Sequence, residues 1–62
     1  MLIRKIEVFL RRTGMPPTQF GRLAAGDPRL VFDLRRGREP RFRTELQLEH
    51  FMNDYLETSH AR

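Results

Sequence analysis

Cysteine is absent from this 62-residue sequence, and so is any long apolar run. Without cysteine, neither disulfide bonds nor thiolate metal sites can stabilise the fold. A chain this short buries only roughly 60% of the surface that its unfolded form exposes, so one core leaves it marginally stable. Its stability is therefore expected to come from packed helices or from an oligomer partner.

The apolar residues are too scattered for a membrane protein. No stretch approaches 18 consecutive apolar residues, the length that a transmembrane helix needs. The N-terminal stretch MLIRKIEVFLRR has neither a long apolar segment nor a small-residue cleavage site, so we expect no signal peptide. Together with the lack of cysteine, these features favour a cytoplasmic protein.

The sequence also lacks a recognisable catalytic or metal-binding set. There is no cysteine nucleophile, and the only serine, Ser59, lies near the C-terminus. His50 and His60 are ten residues apart, too isolated to suggest a metal site or proton transfer. The glutamates of the C-terminal segment are interpreted as a solvated helix face. We therefore expect no enzyme activity, no metal, no cofactor and no small-molecule substrate.

Positive charge is abundant and unevenly distributed. The formal net charge is +4 with a sequence pI near 11.1, and all the basic residues except Lys5 are arginine. Residues 1–43 hold eleven bases against four acids, a net charge of +7, whereas residues 44–62 carry a net charge of −3. Arginine suits bidentate contacts with phosphate and guanine. The asymmetry indicates an anionic partner approached from one side, with a solvated charge coat as the alternative.

Apolar residues at helical spacing predict an all-α fold, a compact domain of four short helices. The apolar residues of the first helix are Ile3, Ile6, Phe9 and Leu10. Thr13-Gly14 ends this helix, with the glycine just past the last turn. Pro17 is expected at the first position of the second helix, where no N–H is needed. The apolar residues of the second helix are Phe20, Leu23 and Ala24.

The turn after the second helix predicts the start of a third. Gly26 can adopt a positive φ and Asp27 can cap, so Pro28 is expected to open a helix over residues 28–36. Its apolar face consists of Leu30, Val31 and Leu34.

The rest of the chain predicts one more helix. The basic loop after the third helix is expected to be extended, with Phe42 turned inward. Thr44 and Gln47 have the spacing of a capping box at the start of the fourth helix. The apolar stripe behind it consists of Leu48, Phe51, Met52, Tyr55 and Leu56. Residues 1–57 are thus expected to form one domain, with residues 58–62 as a flexible C-terminal tail.

The second and third predicted helices, joined by a turn of three or four residues, have the pattern of a helix-turn-helix. Phe20 is followed by Gly21, a tiny residue of the kind needed where two helices nearly touch. Ala25 and Gly26 supply a small turn, and Val31 supplies a β-branched contact between the helices.

In these positions the chain resembles the lambda-repressor-like family, the repressor and Cro type of helix-turn-helix DNA-binding domain, over about residues 16–52. The family usually has glycine where this chain has Ala25, and an apolar residue where it has Gly26. Relatives often carry a polar, base-reading side chain at the position of Pro28. Because proline cannot donate a hydrogen bond, base contacts are expected to begin at Arg29.

The resemblance implies a sequence-specific double-stranded DNA-binding protein, a small transcriptional regulator associated with the nucleoid. Its third helix, residues 28–36, would enter the major groove. The residues expected to face the bases are Arg29, Phe32, Asp33 and Arg36. The residues expected to contact phosphates are Thr18, Gln19, Arg22, Arg35, Arg38, Arg41 and Arg43.

Phe32 lies opposite the apolar face of its helix, among arginines. In the implied docking it contacts a thymine methyl group or a sugar, while Arg29 and Arg36 reach guanine edges or phosphates. Alternatively, Phe32 packs under the loop at residues 38–42 or against a second protomer.

A homodimer is expected, because one helix-turn-helix covers about half of a typical specific site. Leu46 lies off the apolar stripe of the fourth helix, which makes this helix the expected dimer surface. The residues assigned to it are Leu46, His50, Asn53 and Leu56. Alternatively, Leu46 covers the loop at Phe42 and the protein is a monomer.

Two other functions are compatible with the sequence. The helix-turn-helix could serve only for protein–protein contacts, as in a regulator partner or an antitoxin-like adaptor. Residues 2–12 could instead lie as a basic helix on anionic lipid. The lipid interpretation conflicts with the need for Ile3, Ile6, Phe9 and Leu10 in the core of so short a chain.

Overall fold

Four α-helices make up most of the molecule, whose computed structural model describes residues 2–60. The helices are α1 (Leu2–Thr13), α2 (Pro17–Ala25), α3 (Leu30–Arg35) and α4 (Phe42–His60). No strand occurs within residues 2–60. The prediction of an all-α, compact domain of four helices is confirmed.

The core takes one completely buried side chain from each helix. These side chains are Ile6, Phe20, Val31 and Leu48, each with 0% of its surface exposed. The predicted core positions Phe9, Leu10, Leu34 and Met52 are also buried around them. Because α3 and α2 are short, this shared burial rather than helix propensity holds them in place.

An aromatic cluster extends the core between α1, α2 and α4. The ring centroid of Phe9 lies 5.5 Å from that of Phe20 and 5.4 Å from that of Tyr55. Phe51 closes the cluster at 5.6 Å from Phe20, in an edge-to-face arrangement. Such aromatic pairs contribute roughly 0.5–1.5 kcal/mol beyond the area they bury.

The predicted end of α1 is confirmed. Gly14 has φ +71° and donates its N–H to the carbonyl of Leu10 at 2.9 Å. The Thr13 hydroxyl donates to the carbonyl of Phe9 and accepts the N–H of Met15. A positive φ favours glycine, so the chain can reverse here without strain.

The turn after α2 brings the backbone very close to Gly21. Gly26 has φ +66° and bonds the carbonyl of Arg22, while Asp27 donates its N–H to the carbonyl of Gly21 at 3.0 Å. A Cβ atom on Gly21 would overlap the carbonyl oxygen of Asp27 and lie 3.3 Å from the Cβ of Leu30. The predicted need for a tiny residue here is confirmed.

The third helix is shorter than the predicted range 28–36. The Asp27 carboxylate accepts the N–H of Arg29 at 3.0 Å, and the Asp27 carbonyl accepts that of Leu30 at 3.1 Å. These bonds hold Pro28 and Arg29 in a turn, with Arg29 at φ −95° and ψ 0°, so α3 starts only at Leu30.

The fourth helix starts earlier than the capping-box prediction placed it, and that prediction is wrong. The carbonyl of Arg41 already accepts the N–H of Glu45, so Thr44 lies within the first turn rather than before it. The early start puts Phe42 on the outer side of α4, where 75% of its surface is exposed. The expectation that Phe42 turns inward is therefore wrong as well.

Leu23 does not belong to the apolar face of α2, contrary to the prediction. It is 56% exposed, whereas Phe20 and Ala24 are buried. Those two side chains lie four residues apart on the inner side of α2, and Leu23 is turned out at the edge of that side.

The last helix reaches into the segment predicted as a tail. The backbone of α4 continues through His60, and the Thr58 hydroxyl donates to the carbonyl of Asp54. The rest of that predicted segment, residues 61–62, lies outside the described residues. Within residues 2–60, no helix has both the length and the apolar character needed to cross a bilayer.

We expect Gly21→Ala to lower the free energy of unfolding by about 1–3 kcal/mol, because the added methyl group displaces the Asp27 carbonyl and hence the turn. Gln19→Ala, at an exposed position of the same helix, should change it by less than about 0.5 kcal/mol. Chemical unfolding followed by circular dichroism measures both. Equal stability of the two variants would contradict the close approach at Gly21.

Candidate nucleic-acid interface

The outer side of α3 presents an aromatic ring between arginines. We define the α3 surface as Arg29, Phe32, Asp33 and Arg36, which recur at helical spacing opposite the buried residues of α3. Phe32 is 41% exposed, and within the described residues its ring makes no aromatic pair. Phe32 therefore lies outside the aromatic cluster, with a large part of its surface open to solvent.

The acidic member of the α3 surface is paired. The Asp33 carboxylate accepts a hydrogen bond from the Arg38 guanidinium at 3.1 Å. The Asp33 carbonyl also accepts the N–H of Arg38 at 3.1 Å. Arg38, which was expected to contact phosphate, thus compensates Asp33 and attaches the loop to the end of α3.

Arg35 is held by the first helix. Its Nε and Nη2 atoms donate to the two carboxylate oxygens of Glu7 at 2.7 and 2.9 Å, a bidentate pair across 28 residues of sequence. Its guanidinium carbon also lies 5.8 Å from the ring centroid of Phe32, within cation–π range. Arg35 was expected to contact phosphate, and in the structure two of its N–H donors bind Glu7 of α1.

The ion pair between Glu7 and Arg35 shifts the pKa of both groups. The hydrogen bond from Arg35 lowers the pKa of Glu7 below its ordinary value, against a smaller opposing effect of burial. The positive charges of Arg35 and Arg11 also lower the pKa of Glu7. The hydrogen bond to Glu7 raises the pKa of Arg35. Both groups are therefore held in their charged forms.

The remaining arginines assigned to the interface are exposed and uncompensated. Among the described residues, none of them forms an ion pair within 4.0 Å. They are Arg22, Arg29, Arg36, Arg41 and Arg43. Thr18 and Gln19 are exposed in the first turn of α2, which no side chain caps. These groups are free to contact an anion.

Further exposed arginines lie on α1, which the sequence analysis did not assign to the interface. Arg4, Arg11 and Arg12 are exposed on its outer side around Val8, opposite the buried Ile6. Their helical spacing was a signal that could have found them. Glu7 was also missed as the partner of Arg35, and no sequence pattern connects residues so far apart.

The residues assigned to a dimer surface do not share one side of α4. Leu46, His50 and Asn53 are exposed on its outer side together with Phe42. Leu56 is half-buried and packs against the core. On the inner flank, Lys5 of α1 reaches Glu49 at 3.6 Å.

In comparisons with known proteins, no family model, no curated protein and no solved structure matches the chain. The interpretation of the interface therefore depends on its own geometry and charge.

We expect Glu7→Gln to lower Tm at pH 7 and to do so less as the pH falls below about 4. The pKa of Glu7 is lower in the folded state, so its stabilisation is fully present above the ordinary glutamate pKa, about 4.3. It is lost as the pH falls through the lowered value. Calorimetry at several pH values measures this difference.

Arg35→Met provides the control for this pH dependence. In an Arg35→Met background, Glu7→Gln should lower Tm much less, because the bidentate partner is gone and only the charge of Arg11 still favours the carboxylate. An equally large Tm difference in both backgrounds, or one that does not change with pH, would show that the pair does not stabilise the fold.

Proposed function

We propose that this chain is a sequence-specific double-stranded DNA-binding protein, a small transcriptional regulator that inserts α3 into the major groove. The strongest support is the α3 surface, where the exposed Phe32 lies between the uncompensated Arg29 and Arg36. These exposed side chains are not needed to fill the core. They do match the major groove, which presents hydrogen-bond acceptors and thymine methyl groups.

The connection between α2 and α3 supports a helix-turn-helix. A four-residue turn joins the two helices, and its closure depends on Gly21. Val31 and Leu34 are buried and pack the inner side of α3 against the core, which leaves the outer side for a ligand. In DNA-binding proteins with this arrangement the second helix lies in the major groove while the first crosses the backbone.

Each group has a role in this proposal. Arg29 and Arg36 contact base edges, preferably guanine, and Phe32 contacts a thymine methyl group. The Asp33 carboxylate pairs with the Arg38 guanidinium and thereby positions the start of the basic loop at the edge of the interface. Phosphate contacts come from Arg41, Arg43 and Arg22 and from the exposed start of α2, residues 18–19. These contacts position the helix without reading sequence.

The burial of the apolar side of α1 favours DNA over lipid. Of the residues that a lipid-bound α1 would insert, Ile6, Phe9 and Leu10 are buried in the core, and Ile3 is half-buried against it. The outer side of α1 retains Val8 as its one large apolar side chain among arginines. Membrane-surface helices need a broad apolar side, so this surface suits phosphate groups in water better.

We expect duplex binding that weakens steeply with salt. If about six phosphates are neutralised, affinity should fall roughly a thousandfold between 50 and 200 mM salt, because counterions are released on binding. Selection from a random duplex pool, followed by anisotropy titration of the selected site, measures both specificity and salt dependence. No binding at low salt would remove the DNA proposal and favour a protein-contact role.

Matched arginine variants separate base contacts from phosphate contacts in the same assay. Arg29→Ala or Arg36→Ala should cost about 1–3 kcal/mol and relax the preference at one position of the site. Arg41→Ala or Arg43→Ala should weaken all sequences alike. Indistinguishable specificity profiles for the two pairs would contradict the assignment of roles.

We also propose that two chains pair through the outer side of α4. Phe42 and Leu46 lie one turn apart there and are 75% and 42% exposed. His50 and Asn53 continue the same side, whereas Leu56 packs inward. A symmetric pair would let two copies of α3 reach half-sites one helical turn apart.

We expect Leu46→Glu to convert a dimer into a monomer at tens of micromolar, because it buries a charge at the contact. Val8→Glu, at an exposed apolar position on α1, is the matched control and should remain dimeric. Sedimentation equilibrium measures the mass. A monomeric mass for the unmodified chain, free and with one protomer per duplex, would end the dimer proposal.

A further inference from the structure

Arg35 has one of its two bidentate edges occupied before any ligand arrives. The Nε–Nη2 edge, one of those that could bind a phosphate, already donates two hydrogen bonds to Glu7. Glu7 lies on α1, so the guanidinium is anchored outside its own helix. A phosphate could capture this edge only by displacing a carboxylate with the same geometry.

The guanidinium lies next to the exposed ring of Phe32. The guanidinium carbon is 5.8 Å from the ring centroid, and Phe32 precedes Arg35 by one turn of α3. Phe32 makes no aromatic pair within the described residues, and the guanidinium of the anchored Arg35 lies within cation–π range of its ring. A ring contacted by an anchored group keeps fewer orientations than one held only by its own backbone.

The shortness of α3 makes an external anchor useful. The helix has six residues, too few to be rigid by its own hydrogen bonds. A side chain that is already ordered loses less entropy when it contacts a partner, which raises its contribution to affinity.

We propose that Arg35 is a positioning residue for base recognition: anchored to Glu7, it holds the Phe32 ring in place to contact a thymine methyl group and does not itself bind phosphate. This inference rests on the proposed DNA-binding function and names the base feature that Phe32 recognises. It replaces the sequence-based assignment of Arg35 to a phosphate.

The test uses the double variant Glu7→Gln/Arg35→Met, which leaves the formal net charge at +4. On the selected site, uracil replaces each thymine in turn. We expect the unmodified protein to prefer thymine at one position by about fourfold, the worth of one buried methyl group. The double variant should lose this preference and keep the same dependence of affinity on salt.

Two further variants isolate the mechanism. Arg41→Met, at a position assigned to phosphate, should reduce the salt slope by about one contact and keep the thymine preference. Phe32→Ala should abolish the preference with little change in Tm, and adding the double variant to it should have no further effect on thymine discrimination. In the free protein, the NMR signals of the Phe32 ring should shift when Arg35 is replaced.

The outcomes are distinguishable. If the unmodified protein binds no duplex at low salt, the proposed function fails and this inference fails with it. If the protein binds and the double variant keeps the thymine preference, or lowers the salt slope as Arg41→Met does, only the inference is overturned. Unshifted Phe32 ring signals would equally contradict the positioning role.

Discussion

The joint burial of four side chains, one from each helix, is the constraint on which the rest of this molecule depends. Ile6, Phe20, Val31 and Leu48 meet with no exposed surface, and no disulfide is available to replace them. Because α3 has only six residues, it is helical largely through the burial of Val31 and its neighbours. The same burial determines which side of α3 is left for solvent or a ligand.

Three ion pairs connect the elements at the periphery of the core. Glu7–Arg35 connects α1 to α3, Asp33–Arg38 connects α3 to the following loop, and Lys5–Glu49 connects α1 to α4. All three are surface pairs, so the contribution of each to the free energy of unfolding is expected to be modest. They also divide the arginines into two groups. Arg35 and Arg38 are paired with carboxylates, whereas the arginines that form no ion pair remain available for an anion.

Features that depend on neighbouring residues were predictable. The end of α1 at Gly14, the start of α2 at Pro17 and the positive φ of Gly26 follow from backbone sterics that act within a few residues. The starts of α3 and α4 could not be predicted, because several local signals compete there. The Asp27 side chain caps a turn that precedes α3, and the first backbone hydrogen bond of α4 is accepted by the carbonyl of Arg41, so that Thr44 lies inside the helix.

The sequence by itself determined the all-α class, the uneven charge and the outward position of Phe32, since helical spacing and composition are sufficient for each. Only the tertiary structure decided which cations are available. Glu7 and Arg35 are 28 residues apart, and they meet because the core brings α1 beside α3. Likewise, the exposure of Phe42 and Leu23 depends on which sides of α4 and α2 the shared core occupies. Distances between elements are set by packing, which no local pattern encodes.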